Sequence, residues 1–278
     1  MDDAQDSKQG AGQGAGRLTL AIDIGGSHLK AGIVDEAGRL VETQQGVRAR
    51  VETPQSAVPD DILEALVRLV QPLGRFDRIS VGFPGVVRNG CVLTAPNLGG
   101  SAWHGFALAS GLERALGKPV RMLNDASVQG LGAISGQGVE LVITLGTGMG
   151  FALFADGRLA PHLEMGQHPA RKKKTYDEYI GDAARRTVGP LRWNRRVIRT
   201  IATMKTLACY DILYLGGGNA ARLAVALPED VRTVSNETGL TGGVRLWDRR
   251  LDAMFAAPAP AFGSAAPAGQ DVELKNER

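Results

Sequence analysis

An open α/β fold of two related lobes facing one cleft is what the sequence predicts, on three observations. Strand-like and helix-like runs alternate along most of the 278 residues. The stretch DIGGSHLKAGIVDEAGRL from Asp23 recurs in outline as TLGTGMGFALFADGRL from Thr144, each copy combining apolar strands, a Gly-rich turn, an Asp-containing turn and Gly-Arg-Leu. A content of 44% hydrophobic residues with mixed charge and a net charge of +3 suits a chain that buries a sizeable core.

Taken in order, residues 1–17 are polar, acidic and Gly-rich without periodicity, and are expected to form a disordered tail rather than a signal peptide. Residues 18–24 read as the first strand and Gly25-Gly26 as its turn. A helix is expected over 60–70, a strand over 79–83, a helix over 106–116 and a strand over 120–123, with a helix over 126–134 behind it. The second copy opens with a strand over 139–145. Helices follow over 177–188 and 194–207, and a last strand over 212–215 leads into Gly216-Gly217-Gly218. The lobes are thus expected over 18–123 and 124–236, a C-terminal helix packing back on them over 237–256, and an Ala/Pro-rich disordered tail over 257–278.

Composition excludes several classes. No run of 18 apolar residues occurs, so a membrane span is not expected and a cytoplasmic location is. Cys91 and Cys209 stand far apart, which leaves no disulfide framework or Cys-rich zinc site and suggests two core thiols. His28, His104 and His162 show no metal-ligand spacing, and Trp103, Trp193 and Trp247 read as core or interface anchors.

Two motifs carry chemistry. Asp23-Ile24-Gly25-Gly26-Ser27-His28-Leu29-Lys30 sets an acid at a strand end, glycines at the turn and a cation beyond. The acid can hold Mg²⁺ through water, while exposed amides and Lys30 offset phosphate charge. In the second, the strand ending in Asn124-Asp125 presents a carboxylate at its C-terminal edge, where an open α/β sheet faces its cleft. Asp125 can accept the proton of an attacking sugar hydroxyl while Asn124 hydrogen-bonds a neighbouring one. The plainer alternative is that the pair only caps the following helix.

DIGGSHLK, GFPGVV from Gly82, LNDA from Leu123, LGTGMG from Leu145 and GGGN from Gly216, in this order, resemble the ROK family over most of residues 18–251. The resemblance implies the actin-like, ribonuclease-H-type two-lobed sugar kinase fold with an interlobe cleft, in a family of hexose kinases and sugar-responsive repressors. It implies Asp125 as catalytic base, with Gly85, Asn97 and Asn124 lining the sugar pocket. Asp23, Gly25, Gly26, Ser27 and Lys30, with Gly146, Thr147 and Gly148, match the phosphate-facing turns, and Gly216, Gly217 and Gly218 the turn at the far end of the donor. Many members carry a Glu-x-Gly-His sugar motif and a Cys-rich zinc loop, where this chain reads Glu164-Met165-Gly166-Gln167-His168 and lacks the cysteines. The loss is similar to that of the polyphosphate glucokinase branch, and either Gln167 or His168 is expected to serve the sugar. Glu178 is a candidate for a second sugar-binding acid, although a surface charge fits it better.

Between residues 171 and 205 eleven cations face three acids, a net +8 against −5 for the rest of the chain. Such a stretch can guide a polyphosphate chain, and Arg171, Lys172, Arg195, Arg196 and Arg199 are expected to form its track. The alternatives are a solvated basic face or, less favoured, RNA binding. The sequence thus points to a glucokinase that uses Mg²⁺ with polyphosphate, ATP or both, acts on glucose or a related hexose, forms a homodimer and has no nucleic-acid or membrane partner. A non-catalytic sugar-binding or regulatory protein is the alternative.

Overall fold

The computed structural model describes residues 16–256 apart from 45 and 236, so the expected tail over 257–278 and most of that over 1–17 lie outside the described residues. The first sheet contains β1 (Thr19–Ile24), β2 (His28–Val34), β3 (Ala49–Glu52), β4 (Arg78–Phe83) and β5 (Val120–Asn124), in the order β3-β2-β1-β4-β5. The second contains β6 (Val139–Leu145), β7 (Met149–Ala155), β8 (Arg158–Leu159), β9 (Ile212–Gly216) and β10 (Val231–Thr233), in the order β8-β7-β6-β9-β10. In both, an antiparallel hairpin is extended by parallel strands on its first strand. The recurrence in the sequence is therefore one topology used twice. Central strands covered on both faces must be apolar throughout, and Leu20, Ala21, Ile22 and Ile24 of β1 are all essentially inaccessible.

Helices α1 (Pro59–Val70) and α2 (Leu108–Leu116) close one face of the first sheet. Pro59 starts α1 where no hydrogen-bond donor is needed, Asp60 and Asp61 suit its positive end, and Ile62, Leu66 and Val70 bury one side at four-residue spacing. Helix α3 (Asp125–Ala133) runs between the lobes and is buried over Ala126, Ser127, Val128, Gln129 and Gly130. It can lie there because a side chain at Gly130 would strike the Phe154 ring, 2.6 Å from the place of its Cβ.

Three expectations change. The helix expected over 177–188 is two, α4 (Tyr176–Ile180) and α5 (Asp182–Val188), because Gly181 between them is extended and packs on the carbonyl of Thr147. The segment expected as one C-terminal helix is a chain of short turns beginning with α7 (Thr238–Thr241), followed by 3₁₀ turns at Gly242–Trp247 and Arg249–Leu251 and a last helical turn at Asp252–Ala256. Its glycines are poor helix formers, and close contact explains the rest. Gly243 lies against Ser80 and Ala21, its carbonyl accepts from Ser80 Oγ at 2.7 Å, and Leu240 and Val244 cover the second face of the first sheet. Cys91 is buried as expected, but Cys209 is exposed, because it ends α6 (Pro190–Ala208) in the left-handed conformation at φ 47°. Trp103 and Trp193 are core residues, and the Arg121 guanidinium lies over the Trp247 ring at 4.6 Å. Among the described residues no helix is long and apolar enough to cross a membrane.

Candidate active site

The parallel strands of both sheets deliver their carboxyl ends to one cleft of about 450 Å³ between the lobes. Asp23 near the end of β1, Asp125 just after β5, Gly146 after β6 and Gly217 after β9 all line it. The two Gly-rich turns meet there, a Cβ at Gly26 lying 3.7 Å from Thr147 Oγ1. Gly25, Ser27, Lys30, Gly148 and Gly218 line the same space, and Gly216 ends β9 just behind it. Gly217 needs its freedom, since its φ is +82° and a Cβ would sit 2.5 Å from the Leu145 backbone.

Asn124 is buried and its amide is committed. Oδ1 accepts from Ala126 N–H at 3.0 Å as the cap of α3, and Nδ2 donates to the carbonyl of Gly85 at 3.2 Å. The capping alternative therefore holds for Asn124, which also fixes the Gly85 loop at the cleft. Asp125 is half-buried on the cleft floor. Burial pushes its carboxyl up to about 7, and the negative charges of Asp23 and Glu164 add to the shift. Asp23 is balanced by Lys30, whose Nζ lies 2.7 Å from Oδ2.

Glu164 also lines the cleft. Its Oε2 lies 3.5 Å from His162 Nε2 and has no hydrogen-bond partner among the described residues. His162 is thus brought to the site, which sequence spacing could not show. Of the two candidates after Glu164, His168 is exposed, stacks on Tyr176 and turns its Nδ1 to the Pro169 carbonyl. Gln167 instead donates from Nε2 to Asp177 Oδ2 at 2.7 Å.

Asp177 is the residue the sequence reading missed. Its carboxylate accepts from Met149 N–H at 2.7 Å and from Asn97 Nδ2 at 3.1 Å, joining the lobes across the cleft. Gly148 and Gly166 lie so near that a Cβ on either would meet the carboxylate. Adjacent Glu178 faces away and completes a capping box with Thr175. The signal that separates them was that box: an acid three residues after Thr175 caps α4, leaving its neighbour to face inward. Asp182 joins the site because the break at Gly181 lets its N–H reach the Gly146 carbonyl at 3.0 Å.

The basic stretch lies elsewhere. None of Arg171, Lys172, Arg195, Arg196 and Arg199 lines the cleft. The Arg196 guanidinium lies 4.7 Å over the Tyr179 ring and donates to that residue's carbonyl, and Arg199 donates to the Tyr179 hydroxyl at 3.2 Å, so both brace α6 against α4. Lining the cleft instead are Lys30 and Arg50, with His28. Five acids, Asp23, Asp125, Glu164, Asp177 and Asp182, face these two cations. Among the described residues no group of three or more His, Cys, Asp and Glu side chains could hold a metal, whereas one or two carboxylates beside a phosphate are the hard donor set that suits Mg²⁺.

A site of this kind can seat a phosphate chain on backbone amides and present a carboxylate of raised proton affinity to an alcohol. The comparisons agree with it. The chain is 31% identical to the polyphosphate glucokinase of Mycobacterium leprae (strain TN) over 208 residues, covering 72% of this chain and 63% of that protein. It is 31% identical to the polyphosphate glucokinase of Mycobacterium tuberculosis (strain H37Rv) over 211 residues, covering 73% and 78%. The structure matches the inorganic polyphosphate/ATP-glucomannokinase of Arthrobacter sp. strain KM with a TM-score of 0.75 and 29% identity, over 82% of this chain and 97% of that one. The ROK family profile matches residues 19–168, more than half of the sequence. With two lobes of one topology around this cleft and these matches, the chain belongs to the ROK family.

Proposed function

We propose that the protein transfers a phosphoryl group from polyphosphate or ATP to the 6-hydroxyl of glucose. The observation that carries the reading is Asp125, a half-buried carboxyl raised to about 7, open to a cleft where two backbone-lined turns meet. The names of the relatives support the acceptor and donor classes. In the step, the 6-hydroxyl oxygen forms a bond to the terminal phosphorus, the bond from phosphorus to the leaving phosphate oxygen breaks, and the hydroxyl proton passes to the Asp125 carboxylate. Glu164, which lines the cleft, accepts from sugar hydroxyls. Asp177 accepts from Gln167 and orients Asn97, which lines the cleft, and Asn124 holds the Gly85 loop.

The turns at Gly25-Gly26-Ser27 and Gly146-Thr147-Gly148 hold the donor by their amides, with Gly216-Gly217-Gly218 toward its far end. Mg²⁺, when bound through water to Asp23, offsets charge on the donor's phosphate oxygens. The homodimer implied by the family resemblance belongs to the same reading. A coupled assay of glucose 6-phosphate formation with glucose, Mg²⁺ and either donor tests it. Product should form with at least one donor, and sugar binding without product from either would leave the non-catalytic alternative.

A further inference from the structure

The cleft is acidic on most sides, and its two cations stand in a single row. Strand pairing sets Asp23 of β1 opposite Lys30 of β2, and Lys30 opposite Arg50 of β3. The row therefore crosses three neighbouring strands at steps of about 4.8 Å. It begins beside Asp125 and the phosphate turn and ends on β3, the outer strand of the sheet, so it leads from the cleft floor to the edge of the molecule. Each member is tethered by a partner. Lys30 Nζ contacts Asp23 Oδ2 at 2.7 Å. Arg50 Nη2 donates to His28 Nε2 at 2.8 Å, and because a guanidinium can only donate, His28 is the acceptor in that contact. Arg50 is otherwise exposed, and the partner named here is an imidazole rather than a carboxylate, so no acid cancels its charge in that contact.

A nucleoside triphosphate ends its charge after three phosphates, whereas a linear polyphosphate carries charge along its whole length. Among the described residues that line the cleft, Lys30 and Arg50 are the cations, so their row offers a continued path for such a chain. The geometry points to Arg50, at the outer end of the Asp23–Lys30–Arg50 row, as the residue that holds phosphoryl units of a linear polyphosphate donor beyond those seated on the glycine turns. The inference rests on the polyphosphate reading above. It moves the donor's track from the basic stretch over 171–205 to the edge of the first lobe.

The test is steady-state kinetics of the full chain with glucose, Mg²⁺ and either tripolyphosphate or a long-chain polyphosphate, over a range of salt. Arg50→Ala should raise KM for the long chain about tenfold, the loss expected for one charge-assisted contact, and should raise it clearly less for tripolyphosphate. The slope of log KM against log salt for the long chain should fall by about one contact's worth. Arg50→Lys should keep most of the affinity, and Arg50→Gln with an unchanged thermal melt serves as a second variant if the alanine form is poorly folded. Two outcomes overturn the inference alone: wild-type use of polyphosphate whose chain-length and salt dependence survive in Arg50→Ala, or a larger long-chain KM increase in Arg171→Glu and Arg195→Glu than in Arg50→Ala. Wild-type turnover with ATP and none with either polyphosphate at low salt overturns the donor reading, and the inference with it.

Discussion

The chemistry of Asp125 depends on its surroundings more than on its identity. Burial and the charges of Asp23 and Glu164 lift its carboxyl to about 7, so near neutral pH it is part acid and part base. A base must be ionised to accept the hydroxyl proton, so kcat/KM should fall as pH drops through about 7, and a pH profile of the free enzyme measures this limb. Asp125→Asn should lower kcat by roughly 10²-fold or more while glucose still binds, as isothermal titration would show. The linkage sign is also set. With the folded-state pKa above the ordinary value of 3.8, the ionised carboxylate increasingly disfavours the fold as pH rises from about 4 to 7. Asp125→Asn should therefore be more stable than the parent at pH 8, by on the order of 4 kcal/mol, with the gap closing toward pH 4. Equal urea midpoints at pH 8 would contradict the shift.

At the scale of the element, α4 decides which of two neighbouring acids works in the cleft. The capping box turns Glu178 back on Thr175, and the helix phase this sets aims Asp177 at Met149, Gln167 and Asn97. Glu178→Ala should cost about 1 kcal/mol of stability, the usual worth of a cap, and leave KM for glucose unchanged. Asp177→Ala should instead raise KM for glucose by about tenfold or more, because it frees Asn97 and Gln167 and removes an acceptor from the cleft. Thermal melts and glucose titrations of the two variants separate the roles. A similar local rule acts at Gly181, whose missing side chain ends α4 and brings Asp182 to the phosphate turn.

For the molecule as a whole, the governing quantity is charge balance between the lobes. Both halves bring carboxylates to the cleft, and while Lys30 offsets Asp23 and Arg185 and Arg186 offset Asp182, a polyanionic donor still meets Asp125, Glu164 and Asp177 unless a counter-cation accompanies it. Turnover should accordingly stop in EDTA and return with Mg²⁺ alone, measured by the same coupled assay. Stoichiometric zinc by elemental analysis of active protein would contradict a reading built on Asp23 and phosphate oxygens with no thiolate cluster. The lobes themselves are tied by α3, whose Gly132 lies 2.9 Å, measured from the place of its Cβ, from the Gly242 backbone. A Gly132→Val wedge there should cost roughly 1–3 kcal/mol in urea unfolding, the range for overpacking.

Local pattern was enough for much of this. The recurrence at Asp23 and Thr144 announced two sheets of one topology, because hairpin and turn chemistry are written in contiguous residues. Strand ends at Asp23 and Asn124 announced the cleft, since parallel strands of one sheet must share their carboxyl edge. What sequence could not settle was which charged residues meet across elements. The basic run at 171–205 was conspicuous as a string, yet two of its arginines pack on Tyr179 and none of the five track candidates lines the cleft. Arg50, and Asp177 from within that basic run, reach the site through strand register and the phase of a short helix. Register and phase are fixed by which apolar faces are buried against the rest of the chain, so the placement of these polar groups is decided only when the tertiary core forms.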